Sequence, residues 1–436
     1  MKGIKAGFVG FGEINSPRDL IEKKCTEAIK LLEDSGIDLV YTEPVSDDPE
    51  GRDVKRAVAD LSGKDFDVLV VCLAGWIPTH AVISVISEFS HKPMVLWGLT
   101  GYYDESGRLV TTADQAGTTA LRIVMEQMGY NFKYVYNSPG VKPRVDKVIG
   151  YIKAAAAARL LKGSKIGMMG YRDMNLYGTL YEGISLRGKI GAEIENFEML
   201  EVVQKLEGIK SEDIDRVIEK MKKEWVFEKP AKEETLISYA KYYLAIKEKV
   251  EERGYKAISL IDVDGMKKLI GLPPSAIFIL LSDELNICTI PENDSLGSVT
   301  QLIVKYLTGQ IAAYMEFYEF FEDRVLIGVP DFVPPEVMEG KVVVNPTSFG
   351  GFSEGLLNVS KVKTGKVTLC RLIGKGDKYT MHIVTGEAVT PGSWEEAGWT
   401  PPAPQLPSLE VILDTPVEEF ADKVASQHYI VSYGDN

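Results

Sequence analysis

Cysteine is scarce and scattered in this 436-residue chain: Cys25, Cys72, Cys288 and Cys370 stand far apart, with no CxxC pair. Three of them sit in apolar, strand-like runs. That excludes a disulfide scaffold and predicts reduced core thiols in a cytoplasmic protein. Basic charge is also short, with 49 Lys and Arg against 63 Asp and Glu and a net charge of −14. Such a balance argues against a nucleic-acid partner or an anionic membrane surface. No apolar run approaches the length of a spanning helix, and the opening MKGIKAGFVG enters a strand directly, so no leader is expected. HExxH, a nucleophile elbow, internal repeats and low-complexity tracts are absent. The turn GFVGFGE carries Gly7, Gly10 and Gly12 without forming GxGxxG, and Glu13 follows where a phosphate would be unwelcome. Its glycines are read as serving a tight strand exit, and no dinucleotide is expected.

What is present is a long alternation of strand and helix. Residues 4–9, 38–41, 67–73 and 93–97 read as strands, with helices over 19–34, 52–61 and 79–89 between them. That rhythm predicts a parallel sheet covered on both faces. A helix over 141–162 leads into a second such unit. It has strands at 165–169, 257–261 and 276–281, and two helices of alternating charge over 211–223 and 232–253. DVDG at 262–265 resembles a fragment of a calcium loop but lacks the remaining acidic ligands, so it reads as a loop at the same sheet edge. After about residue 325, short β-like runs separated by Gly- and Lys-bearing turns predict a small antiparallel barrel or sandwich. TPPAPQLPS (400–408) reads as an extended arm and 416–424 as a last helix. The expected fold is therefore α/β: two doubly wound parallel-sheet domains (1–137 and 138–308) followed by a β-rich, barrel-like C-terminal domain (309–436).

The chain is organised around residues 285–322. The run 285–290 reads as a buried strand closed by Pro291, and Asn293, Asp294 and Ser295 can each cap a helix. Leu296, Val299, Ile303, Val304 and Leu307 then keep one apolar face until Gly309 ends the helix. A second strand is expected over 311–317. Glu292 and Glu316 stand at the two ends of this unit. If the strands are parallel neighbours, both carboxylates emerge at the carboxyl edge of one sheet, where open α/β folds place ligands. A divalent cation, Mn²⁺ or Mg²⁺, would then hold them together. The competing reading gives Glu316 a solvated strand face and leaves Glu292 merely favouring a helix N-terminus. If Glu316 instead opens the third domain, the site becomes an interdomain cleft. Trp76, between a strand and Pro78, is a candidate for contact with a ligand or partner, with plain packing as the alternative. His80 and His91 read as surface or helix-end residues. His428, between a helix end and the strand 429–433, is by itself a packed or exposed histidine.

These segments together resemble the L-fucose/L-arabinose isomerase superfamily, which is similar in layout. PENDSLGSVTQLIVKYLTG resembles the segment bearing that family's first metal glutamate, here Glu292. YMEFYEFFE resembles the segment with the second acidic ligand, at Glu316, with Glu319 as the fallback. SQHYIVSYGD resembles the terminal histidine motif, at His428. CLAGWIPTHAVI resembles the segment in which a tryptophan packs on sugar in a neighbouring subunit, which falls on Trp76. Arabinose isomerases carry a further metal histidine where this chain reads IGVPDFVPP (327–335), so the ligand set is similar to the fucose type, although the chain is much shorter than those enzymes. The resemblance implies an Mn²⁺-dependent aldose–ketose isomerase acting on a free sugar such as L-fucose, L-arabinose or D-arabinose. Glu292 and Glu316 would be its proton carriers and ligands, and His428 the third ligand. It also implies a homo-oligomer, a trimer or hexamer. The alternative is a non-catalytic sugar-binding or regulatory relative with the same fold.

Overall fold

The computed structural model describes residues 3–329, 332–349, 353–398, 400 and 403–436. Its contacts divide the chain into two compact units, residues 1–159 and 160–436. The first contains β1 (Lys5–Phe11), β2 (Asp38–Tyr41), β3 (Val68–Leu73), β4 (Met94–Gly98), a small antiparallel hairpin of β5 (Tyr102–Tyr103) and β6 (Leu109–Val110), and β7 (Phe132–Tyr136). Five of these strands form one parallel sheet in the order β2-β1-β3-β4-β7. Alternate residues of β3 feed two separate cores: Val68, Val70 and Cys72 one, Leu69, Val71 and Leu73 the other. That is the period-two signature of a sheet covered on both faces. The glycines of GFVGFGE serve packing. A Cβ at Gly10 would strike Cys25, and one at Gly12 would strike Ile21, both on the helix Arg18–Glu33.

The second unit begins with another parallel sheet. It is built from β8 (Lys165–Met169), β9 (Glu193–Phe197), β11 (Ala257–Leu260) and β12 (Cys288–Ile290), in the order β12-β11-β8-β9. Between them in sequence lies β10 (Val226–Phe227), which joins β15 (Val343–Phe349) and β16 (Ser353–Asn358) in a three-stranded sheet. The remaining strands are β13 (Ala313–Phe320), β14 (Val325–Gly328), β17 (Gly365–Lys375), β18 (Lys378–Val389), β19 (Ser408–Leu413) and β20 (His428–Tyr433). They close into an antiparallel barrel in the order β13-β14-β19-β18-β17-β20. The architecture is thus two parallel-sheet α/β layers and a C-terminal β-barrel.

Three local expectations are corrected. Residues 276–281, expected as a strand, lie in the helix Ser275–Leu285, every residue of which from Ser275 to Ser282 is buried. A helix that is apolar all round has no 3.6-residue stripe, so its short apolar run looks the same as a buried strand. That helix ends at Asn286 in the left-handed region, which shortens the expected strand at 285–290 to Cys288–Ile290. The strand bearing Glu316 is not a parallel neighbour of β12. It belongs to the barrel and pairs antiparallel with β14 and β20. The connecting helix Ser295–Thr308 packs on β11 and β12 and also on β17 and β20, so the chain crosses from sheet to barrel through it. The helix over 141–162 starts at Val145, and the last helix is Val417–Ala421. Residues 330 and 331 of IGVPDFVPP, and 401 and 402 of the expected arm, lie outside the described residues.

Because the linking helix is covered on both sides, Leu302 on it is fully buried. Leu302→Ala should lower the unfolding free energy by about 2–5 kcal/mol, through lost transfer energy and a residual cavity. Urea denaturation should show the midpoint shift at an unchanged slope.

Candidate functional site

The carboxyl ends of β8, β11 and β12 lie side by side, and the loops that leave them meet. Asn293 Nδ2 donates to the Met169 carbonyl at the end of β8, 3.0 Å away. A Cβ on Gly170 would lie 3.1 Å from Ile261 and 3.3 Å from that same Asn293 amide. In the loop after β12, Glu292 and Asn293 both adopt left-handed backbone, with φ of 61° and 54°. Two consecutive non-glycine residues there cost on the order of 1–3 kcal/mol each, so the surroundings must fix them. Asp294 does so next in the chain. It is the N-cap of the helix Ser295–Thr308, and its Oδ1 accepts the Gly297 amide at 2.9 Å.

The barrel supplies the other half. On the antiparallel pair β13–β20, Glu316 stands directly opposite His428. His428 Nε2 lies 3.5 Å from Glu316 Oε2 and 3.7 Å from Glu292 Oε2. The structure therefore brings Glu292, Glu316 and His428 together, from a sheet-edge loop and two barrel strands. Glu292 and His428 are buried, while the Glu316 side chain keeps 23% of its surface. Burial, and then the nearby Asp262 and Glu316 carboxylates, push the Glu292 carboxyl well above its ordinary value. Its Oε2 has no hydrogen-bond partner. The fallback Glu319 is exposed, beyond a register shift in β13, and pairs with Leu326. Trp76 belongs to the other unit and is 39% exposed; its backbone amide donates to the Thr112 carbonyl and its carbonyl accepts the Glu13 amide. His80 and His91 are exposed.

Around these residues is a second layer that sequence reasoning did not assemble. The Asp294 carboxylate meets the Arg371 guanidinium of β17 through two contacts, Nη1–Oδ2 at 2.5 Å and Nη2–Oδ1 at 2.9 Å. Burial alone would raise this carboxyl, but Arg371 and the Gly297 amide hold it below its ordinary range. Tyr314 of β13 donates its hydroxyl to Asp294 Oδ2 at 2.8 Å and stacks on the His428 ring, with centroids 4.4 Å apart and planes at 19°. On the sheet side, DVDG opens a π-helical turn, Asp262–Ile270, in which Asp262 Oδ2 bonds the fully buried Lys267 ammonium at 3.1 Å. Asp173, from the loop after β8, accepts the amides of Met174, Val263 and Asp264. Burial and the adjacent Asp262 nevertheless push its carboxyl up to about 8. A one-residue widening of a helix has no period to betray it in the sequence. The legible signal is a pair of acids, Asp262 and Asp264, with Lys267 five residues after the first.

Among the described residues, no group of three or more His, Cys, Asp or Glu side chains is placed so that it could hold a metal ion as it stands. The donors present nonetheless suit the divalent ion that the resemblance implies. Ligand atoms each ~2.2 Å from one ion are ~3.1 Å apart when cis and ~4.4 Å when trans. The 3.5 and 3.7 Å contacts at His428 fall between those limits. Two carboxylates and an imidazole are also ligands that Mn²⁺ accepts, and the buried, unpartnered Glu292 oxygen is the kind of atom a cation satisfies.

Residues 180–279 match the family model of the L-arabinose isomerase central domain. The match supports the arabinose/fucose isomerase superfamily, and with it a sugar isomerase. It covers the heart of the second unit and ends short of all three candidate ligands. Among curated proteins, no sequence matches. Solved structures with some likeness include the periplasmic binding protein of the arabinose ABC transporter from Shewanella sp. ANA-3, bound to α- and β-L-arabinofuranose. It is 11% identical with a TM-score of 0.18, over 70% of this chain and 86% of that one. Another is an ABC-transporter periplasmic solute-binding protein from Actinobacillus succinogenes with bound D-allose. It is 13% identical with a TM-score of 0.18, over 71% of this chain and 93% of that one. Among the described residues, no single helix is long and apolar enough to cross a membrane.

Arg371→Met should cost about 3–5 kcal/mol, because it strands the Asp294 charge in the interior. Changing Asp294 to Leu as well should recover part of that loss in a denaturant double-mutant cycle. The pH dependence follows from the lowered Asp294 carboxyl. Its contribution is complete above the ordinary value of 3.8 and is lost as pH falls below it, through the folded-state value. Acid unfolding of Asp294→Asn should lack that component.

Proposed function

We propose that this protein is a metal-dependent aldose–ketose isomerase acting on a free sugar such as L-fucose, L-arabinose or D-arabinose through an ene-diol. The observation that carries the reading is the convergence of Glu292 and Glu316 on one imidazole nitrogen. The isomerase-domain match supports it. Glu292, Glu316 and His428 would hold the ion, Mn²⁺ or another divalent cation. When bound, the ion supplies Lewis-acid polarisation of a carbonyl and stabilisation of developing negative charge on oxygen.

The residues do the proton work. A carboxylate removes the proton from C2 of the open-chain aldose while the C1 carbonyl oxygen gains one, which gives the ene-diol. Returning a proton to C1 as the C2 hydroxyl loses its own completes the ketose. Burial and then the neighbouring acids raise the proton affinity of Glu292 above that of an ordinary carboxylate, which favours it as the group that takes up the proton. Glu316, more exposed and across the imidazole from it, is the partner carboxylate. The proposal extends to a trimer or hexamer in which Trp76 reaches a neighbouring subunit's sugar; light scattering that finds only 48 kDa monomers would remove that part.

The test is a screen of aldoses with Mn²⁺-loaded protein, with ketose measured as product. Glu292→Gln should lower turnover by at least about 10²-fold while leaving the unfolding midpoint in place. His428→Asn should weaken Mn²⁺ binding, and wild-type affinity should fall as pH drops and protons compete for the ligands. Sugar binding without ketose formation would favour the non-catalytic alternative, and Mn²⁺ affinity unchanged in both variants would sink the metal reading.

A further inference from the structure

The three candidate ligands come from distant segments, yet one small polar cluster stacks on His428 and stands two residues along the chain from each glutamate. Asp294 lies two residues after Glu292. Tyr314 lies two residues before Glu316 on β13, and residues two apart on a strand project to the same face. The Tyr314 ring stacks on His428, and its hydroxyl is tied to Asp294. Arg371 grips the same carboxylate from β17, and all four side chains are buried. Metal-bound histidines are usually oriented by a neighbour that fixes the ring.

We infer that Tyr314 is a positioning residue of this centre. It fixes the plane of the His428 ring by stacking, and through Asp294 it fixes the spacing between the Glu292 loop and the barrel. The inference rests on the reading of Glu292, Glu316 and His428 as ligands. An ordinary core tyrosine would contribute stability and nothing to ligand geometry.

The experiment compares Tyr314→Leu, which removes ring and hydroxyl, with Tyr314→Phe, which keeps the ring. Leu409→Ala, a buried barrel change away from the cluster, serves as a control for destabilisation alone. Mn²⁺ affinity is read by calorimetry. The His428 ring signals are read by NMR on histidine-labelled protein and assigned by their loss in His428→Asn. Tyr314→Leu should weaken Mn²⁺ binding about 10–100-fold and shift or broaden the His428 signals. Tyr314→Phe, which keeps the stacking but loses the hydrogen bond to Asp294, should restore the ring signals and only part of the affinity, and Leu409→Ala should change neither. Wild-type affinity and unmoved ring signals in Tyr314→Leu would overturn the inference. If the wild type itself binds no Mn²⁺, the ligand reading fails and the ring signals alone judge Tyr314: moved in the leucine variant they uphold it, unmoved they overturn it. Should the leucine variant not fold, Arg371→Lys loosens the same cluster with the ring in place. Reduced affinity there supports the inference, and an unchanged value counts against it.

Discussion

The Asp294 carboxylate is the point on which the second unit turns. It caps the helix Ser295–Thr308, accepts the Tyr314 hydroxyl and is gripped by both terminal nitrogens of Arg371. Those partners belong to the linking helix and to two strands of the barrel. A buried ion pair of this kind gains little net stability over well-packed apolar residues, because desolvating both charges nearly cancels their attraction. What it adds is registry. Any slip between the loop after β12 and the barrel leaves a charge without its partner in an interior that cannot solvate it.

That constraint explains how a strained loop can be held in place. Glu292 and Asn293 occupy left-handed backbone, and the amide of Asn293 and the cap at Asp294 hold them on either side of the turn. Glu292 is thereby kept buried, with one oxygen unpartnered, facing His428. Behind it lie two more acids, Asp173 and Asp262, the second of which bonds the buried Lys267. The region is buried and rich in carboxyl groups, which suits a cation and raises proton affinity at the same time.

Much of the fold was legible because burial on both faces leaves a simple trace. The apolar strands β3 and β4, the glycine stops and the late run of short strands each follow from local rules. The helix Ser275–Leu285 was not legible, since uniform burial erases the periodicity that separates helix from strand. Glu292, Glu316 and His428 could be named from their segments, but the residues that hold them could not. Arg371 is 77 positions from Asp294 and sits in an unremarkable strand, and nothing local marks Tyr314 as a stacking partner for a residue near the other end of the chain.

The sequence by itself determined which segments are apolar on which face, where helices stop, and that two glutamates and a histidine stand in suggestive places. Only the tertiary structure decided that β13 leaves the parallel sheet and enters the barrel, so that Glu316 meets His428 across an antiparallel pair. The reason is physical. An alternating pattern states which side of a strand must be buried, but not which of several open edges it will join. That choice is made by the sum of distant contacts, and a single misplaced buried charge outweighs many local preferences.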